Sequence, residues 1–465
     1  VALSRDDATE VVKHLVKVRE AESDRLDRIY RYLKNKVCRI YIPRSATAEY
    51  RELVHQSRIN VMPLIIGAVA QNLFADGYRP ARASDNAPAW EDWQRNRMDL
   101  RQGGLYRAAL AYGVAYAAVL PGDPAPVILP YSPRQCTAVY EDPINDEWPI
   151  YALTCTVERD RQGKPVKRMR LYDETHRYRF VGSADSQTPQ FEGADEHGLG
   201  VTPVVRYLNT YDDLDDGPEG EVESLIPLQD TVQQTTFNTR MAEHYALFRQ
   251  RWVTGMAIPE DENGNPIEPF NSAVNRVWHA ESPDTKFGDF EPTSIDGYLA
   301  SRKATLSIIS ALAQLPPQQL LVSDGISNLS AEALAAIESG LQRKVGERKT
   351  SFGEANEQLL RLVSLAAGRR EGWEDTSAQI VWRDTESRSL AQVADALGKM
   401  AQMLAIPPRA LWERIPGVTD QDLQRWEQIA EEDGGMRELM AMLPSNATPE
   451  DRDFLRRNQQ LAAEG

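Results

Sequence analysis

Residues 330–367 carry one unbroken helical pattern, and this run constrains the fold more than any other feature. Ser330 suits the N-cap and Glu332 lies near the positive end; the apolar stripe Leu334, Ile337, Leu341, Val345 resumes at Phe352, Leu359 and Val363. At 1.5 Å per residue such a helix is roughly 57 Å long, well beyond the width of a small domain. Gly340, Gly346 and Gly353 would each cost about 1 kcal/mol against alanine in an isolated helix, so tertiary packing must hold it.

The rest of the chain alternates in character. Residues 5–35 read as a helix, with Val11, Val12, Leu15, Val18, Leu26 and Ile29 spaced by threes and fours. A second helix is expected over 48–73, bent at Pro63, and a third over 90–112, divided at Gly103-Gly104. From 114 to 209, short Val-, Ile-, Tyr- and Thr-rich runs separated by Pro, Gly and Asp predict antiparallel strands, with a hairpin tip at 161–164. The acidic run YDDLDDGPEGE at 211–221 leads into a helix with an unusually polar middle (Gln233, Gln234, Thr235, Thr236, Asn238, Thr239), which asks for several packing partners. A small β-like insert follows at 252–294, with Asn263-Gly264 as its turn, then a helix over 295–315 stopped by Pro316-Pro317. Residues 316–329 read as a loop with Asp324-Gly325 at its tip. Beyond 367 come a short strand at 379–383 and several helices, the last beginning near Pro449. The fold class is α+β, predominantly helical.

Composition excludes several functions. A net charge of −16 argues against a protein that reads DNA sequence through a basic face. The most apolar stretch, 61–74, is too short and too polar to cross a bilayer, and the acidic first residues lack the order of a signal peptide. Cys38, Cys136 and Cys155 have no paired spacing and read as free thiols of an intracellular protein. No P-loop, no zinc-protease signature and no nucleophile elbow is present. The six histidines have no zinc spacing, and Leu214 occupies what would be a ligand slot in a calcium loop at 212–216. Neither a metal, a cofactor nor an enzymatic activity is expected. The basic groups Arg302-Lys303, Arg343-Lys344 and Arg348-Lys349 lie on expected helices, as solvated or ion-paired faces or as contacts to passing phosphate.

The order of these segments, a polar helix, a β insert, a returning helix, a loop and a very long helix, resembles the portal proteins of tailed double-stranded DNA bacteriophages, especially those of long-tailed actinobacteriophages. The strings EVESLIPLQD at 221–230, RWVTG at 251–255, WRDT at 382–385, SLAQVADAL at 389–397 and IPG at 415–417 carry the resemblance across about 200–430. The resemblance implies a ring of about twelve copies at one capsid vertex, around a channel for DNA. Residues 1–209 with 371–386 then form an outer wing, 210–250 the acidic lead-in and first stem helix, and 251–294 a clip. The second stem helix is 295–315, the tunnel loop 316–329, the spine helix 330–370 and the crown 387–465.

In that plan Gln318, Gln319, Ser323, Asp324 and Asn328 touch DNA in the channel, and Arg302 and Lys303 supply charge to the lumen or to a neighbouring subunit. Glu260, Asp261, Glu262 and Asn263 on the clip meet a tail adaptor, and Leu334, Ile337 and Leu341 pack between copies. Neighbouring subunits are expected to supply the partners that the polar stem helix lacks. Implied partners are double-stranded DNA, a terminase motor, a head-to-tail adaptor and the major capsid and scaffolding proteins, with no membrane. The implied location is the virion, after assembly in the host cytoplasm. The alternative is a nonviral helical scaffold or adaptor without a channel.

Overall fold

The computed structural model describes residues 2–81, 86–159, 162–183, 189–211, 217–247, 251–255, 284–289, 294–321, 331–383, 390–415, 418, 422–423 and 425–431. The chain divides into two units, Val1–Ile380 and Val381–Gly465.

In the first unit, helix α1 (Arg5–Leu33) starts where the Asp7 N–H donates to Ser4 Oγ at 3.2 Å, with Asp6 and Asp7 at its positive end. The single bent helix expected over 48–73 is two helices, α2 (Ala48–Gln56) and α3 (Met62–Ala70). Ser57 ends the first, its hydroxyl and N–H both turned to the Leu53 carbonyl. Pro63 stands in the first turn of α3, where a missing donor costs nothing. Strand β1 (Ala75–Arg79) follows. Helices α4 (Pro88–Arg95) and α5 (Met98–Tyr112) are separated at Arg97, whose φ of 54° breaks the helix. The expected break at Gly103-Gly104 is absent, because buried Leu105, Tyr106, Ala109 and Leu110 hold that stretch of α5 in place.

The strand-rich region forms two antiparallel sheets. Strands β2 (Val114–Leu120), β3 (Val127–Tyr131), β4 (Cys136–Val139), β5 (Tyr151–Arg159), β6 (Pro165–Tyr172), β7 (His176–Ser183), β8 (Gln190–Glu196) and β9 (Val204–Leu208) succeed one another along the chain. Their orders are β3-β2-β9 and β4-β5-β6-β7-β8. Pairing of Arg159 with Pro165 places the β5–β6 connection where the hairpin tip was expected. Helix α1 lays Ala8, Val12, Leu15 and Val16 across Leu153, Cys155, Met169, Leu171, Tyr178 and Phe180 of the larger sheet. Alternate residues of each strand therefore face one helix stripe, which fixes the register.

After β9 come α6 (Ile226–Leu247), β10 (Arg251–Thr254), β11 (Lys286–Asp289), α7 (Asp296–Leu312), α8 (Ala331–Ala366) and α9 (Arg370–Glu374). Strand β12 (Gln379–Trp382), at whose Ile380 the first unit ends, pairs with β1. The 36-residue α8 is the long helix expected from the sequence. Leu341, Val345, Phe352, Leu359 and Val363 of its stripe are all buried. Phe352 stacks on Tyr106 of α5 at 5.3 Å, and fully buried Asn356 accepts from the Tyr207 hydroxyl (2.9 Å) while donating to Tyr106 (2.8 Å). An apolar stack and a satisfied polar pair thus pin the helix to both α5 and β9.

The second unit contains α10 (Leu390–Met403), a tight turn of helix over Pro408–Arg414 and helical residues up to 431. Trp412 meets Trp426 edge-on at 5.9 Å beside buried Leu411.

Candidate functional site

The acidic lead-in crosses the end of α5 at two glycines. Gly113 has a φ of 91°, and the Glu221 N–H donates to the Leu110 carbonyl at 2.8 Å. A Cβ on Gly220 would stand 2.3 Å from the Ala111 carbonyl oxygen, and one on Gly113 2.3 Å from that of Pro218. Only glycine lets the two backbones come this close. Arg25 of α1 clamps the crossing from outside, reaching the Pro218 carbonyl (2.6 Å) and the Glu223 carboxylate (2.8 Å). Gly220→Ala is expected to destabilise the first unit by about 1–3 kcal/mol or more, read as a lower urea midpoint, because the obstacle is backbone and cannot swing aside. An unchanged midpoint would mean the crossing opens without cost.

Immediately after the crossing, Glu221 meets α8. Its carboxylate receives Lys344 Nζ at 2.5 Å and Arg348 Nη2 at 3.1 Å, and Lys344 also donates to the Ala313 carbonyl at 3.1 Å. Lys344 and Arg348 keep only 5% and 7% of their side chains exposed. One lysine therefore ties three places together: the lead-in to α6, the last turn after α7 and the middle of α8. Cations hidden this way are costly unless paired and hydrogen-bonded; the carboxylate and the free carbonyl of a helix end supply both to Lys344, and Arg348 pairs with Glu347 as well, at 3.0 Å.

The chain between these anchors goes out and returns. Helix α6 packs against α7, and β10 and β11 form an antiparallel ribbon from Arg251↔Asp289 to Thr254↔Lys286. The result is a helical hairpin with a β ribbon beyond its helices. Part of the polar surface of α6 finds partners within its own chain. Buried Gln229 donates to the Ile59 carbonyl (2.6 Å) and accepts the Val61 N–H (3.1 Å). Thr235, Thr236 and Thr239 return their hydroxyls to α6 carbonyls at 2.7–2.9 Å. Among the described residues the buried Gln233 Oε1 has no hydrogen-bond partner, so the expectation of partners from neighbouring subunits is corrected for Gln229 and the threonines alone. Tyr32 donates to Asp230 at 2.8 Å, tying α1 to α6; burial and then that carboxylate push its phenol up to about 12.

Of the residues singled out from sequence, Gln318 and Gln319 lie in a tight helical turn over Pro317–Gln319, Gln318 half-buried and Gln319 exposed. The start of the expected loop is thus a helical turn, closed by the Gln319 N–H on the Pro316 carbonyl at 3.0 Å. Arg302 is half-buried and Lys303 exposed on α7. Leu341 is buried, while the side chains of Leu334 and Ile337 on α8 lie outside the described residues. Ser323, Asp324, Asn328, Glu260, Asp261, Glu262 and Asn263 also lie outside them. Reading residue types in isolation missed Glu221, while Lys344 and Arg348, expected on solvated or ion-paired faces or as phosphate contacts, are ion-paired. Both cations are buried ion-pair members, so they are not surface contacts for phosphate. The available signal was two cations one helical turn apart on the apolar side of a helix, following an acid-rich lead-in.

Beside this joint the outer face of α8 walls a groove of about 690 Å³, shared with the 140–147 loop and the end of β9. Glu354 and Glu357 line it, and Glu357 accepts the Ile380 N–H at 3.0 Å. Burial, with a smaller push from Glu354, raises the Glu357 carboxyl above its usual range despite that hydrogen bond. A carboxyl raised on folding detracts from stability above its folded pKa, and the loss is relieved as pH falls through that value. Glu357→Gln keeps the acceptor and removes the charge. Its melting temperature should rise by about 1–3 °C at neutral pH, an advantage that shrinks on acidification. A difference that stays constant between about pH 4 and 8 would contradict this origin.

Among the described residues, no group of His, Cys, Asp or Glu is arranged to hold a metal ion, and no helix is long and apolar enough to cross a membrane. The chain is 24% identical to the portal protein of Mycobacterium phage D29 over 392 residues, covering 78% of each chain. It is 24% identical to the portal protein of Mycobacterium phage L5 over 359 residues, 72% of this chain and 71% of that one. Residues 12–436 match the phage portal protein family of the SPP1 Gp6-like type. A match that runs from α1 through the hairpin and α8 into the second unit covers every element that builds the joint. The chain belongs to the phage portal protein family.

Proposed function

We propose that copies of this chain form a ring of about twelve subunits at one capsid vertex, enclosing a channel through which double-stranded DNA is packaged and ejected. The observation that carries the ring is the bare face of α7. Ile308 and Leu312 are 50% and 62% exposed, on one side of the helix with exposed Ala300, Ala304 and Ala311. A second copy packing on that face would bury it, and a head-to-tail contact that closes makes a ring.

In this reading α6 and α7 are the stem, the β10–β11 ribbon belongs to the clip, α8 is the spine, residues 1–209 with 371–386 the wing, and 387–465 the crown. The tunnel loop, 316–329, starts within a few residues of the Lys344 joint. Movement of the hairpin and of the loop would therefore be felt at one buried charge cluster. The terminase motor, tail adaptor, major capsid and scaffolding proteins are its partners, in particles assembled in the host cytoplasm. A charge of −16 per copy suits a conduit that lets the duplex slide, since attractive phosphate contacts would hold it. The portal family is structural, and no catalytic role is needed. Capsids assembled with this chain should take up DNA, and capsids assembled without it should not. Equal uptake by both would contradict the reading, and a nonviral scaffold or adaptor would then take its place.

A further inference from the structure

Past the core between α1 and the larger sheet, the two periodicities that build it keep running. On α1, buried Val12, Leu15 and Val16 are followed one turn later by Arg19. On the sheet, Cys155 pairs with Met169 inside the core, and two residues farther along Val157 pairs with Lys167 on the same face. Where the apolar partners stop, a cavity of about 410 Å³ opens, walled by Arg19, Arg134, Lys167, Ser132, Gln135 and Cys155 together with neighbouring β5 residues.

Three of its lining side chains are cations and none is a carboxylate, in a chain whose net charge is −16. Arg134 is paired with Asp27 at 2.8 Å. Arg19 donates Nη2 to the Arg134 carbonyl at 2.5 Å, which holds its guanidinium in place, while its buried Nε has no acceptor. Among the described residues, neither Arg19 nor Lys167 has a carboxylate partner. Two cations facing one hollow without a carboxylate among its lining residues give it a positive potential.

We propose that this cavity is an oxoanion site that takes a phosphate group. Arg19 and Lys167 supply charge from opposite walls, one from a helix and one from a strand, so their separation is set by rigid elements. The Ser132 hydroxyl and the Gln135 amide add neutral donors. Charge-assisted hydrogen bonds from guanidinium and ammonium groups are the strongest available to a phosphate oxygen. The site lies apart from the hairpin and the joint, and it would operate in a single subunit or in a ring.

Calorimetric titration of the purified chain with inorganic phosphate, at ionic strength held constant with sodium chloride, tests it. Saturable binding is expected, weakened about tenfold or more in Lys167→Gln and again in Arg19→Gln. Lys167 is half-exposed on a strand, so its variant keeps the fold, as a matching circular dichroism spectrum would verify. Adding a short DNA duplex separates the sources of the group. A duplex that competes with phosphate and loses affinity in the same variants identifies backbone phosphate as the ligand. A duplex that does not compete, while phosphate binding falls in the variants, identifies a free phosphate or phosphate ester. No saturable phosphate binding, or equal binding by the parent and both variants, overturns the proposal.

Discussion

Deleting residues 319–326 should leave rings that enter capsids yet retain almost no packaged DNA. Pro316 ends the helical stretch after α7, a turn of helix follows to Gln319, and α8 begins at Ala331. The segment therefore begins a few residues after Ala313, whose carbonyl receives Lys344. Residues 316–330 contain no Lys or Arg, while Gln318, Gln319, Ser323 and Asn328 offer only weak, sequence-indifferent hydrogen bonds to a DNA backbone. A loop of this kind grips transiently, as a moving duplex requires. DNA per particle, measured on purified capsids, is the readout. Normal packaging would remove the loop from the channel. Failure of the ring to form would assign residues 316–329 to a packed connector, with half-buried Leu320 and Leu321 as part of its core.

Glu221→Ala should be the most damaging single substitution among the residues described. It leaves Lys344 buried without a carboxylate and Arg348 with Glu347 alone, and stranding a buried charge in this way costs about 3–5 kcal/mol. The loss falls where the lead-in, the end of α7 and α8 meet, so the hairpin should detach from α8 before the α1–sheet core unfolds. A lowered first thermal transition and a loss of rings are the expected results. Glu221→Leu combined with Lys344→Met and Arg348→Met replaces the ions by apolar groups and should recover most of the stability, since the penalty lies in the unpaired charge. If the single variant melts like the parent, the joint is too wet to matter. If the triple variant melts as low as the single one, geometry rather than charge holds it.

Legibility in the sequence followed the strength of each periodic signal. Helix α8 was visible because its stripe runs on after a gap, and buried Leu341, Phe352 and Leu359 show why. The out-and-back hairpin was visible from punctuation, with Pro316-Pro317 closing what the acidic lead-in opened. Strand β8 is hard to read because Phe191 alone of QFEGADE is a large apolar residue, packed on the core edge, and the other positions run between half-buried and exposed with no apolar alternation. The break at Arg97 was invisible because an arginine with positive φ leaves no compositional trace, whereas the glycine pair inside α5 advertised a break that tertiary burial overrode. The partners of Gln229 on α6 were invisible for a related reason. Its partners, the Ile59 carbonyl and the Val61 N–H, are backbone groups some 170 positions away in sequence, and backbone partners have no residue type to read.

The ring is the claim on which the rest depends. Electron microscopy of the purified chain, with particles averaged along the view of highest symmetry, tests it directly. The account predicts closed rings of about twelve subunits around an open centre, whereas compact particles of one or two copies without a central hole would contradict it.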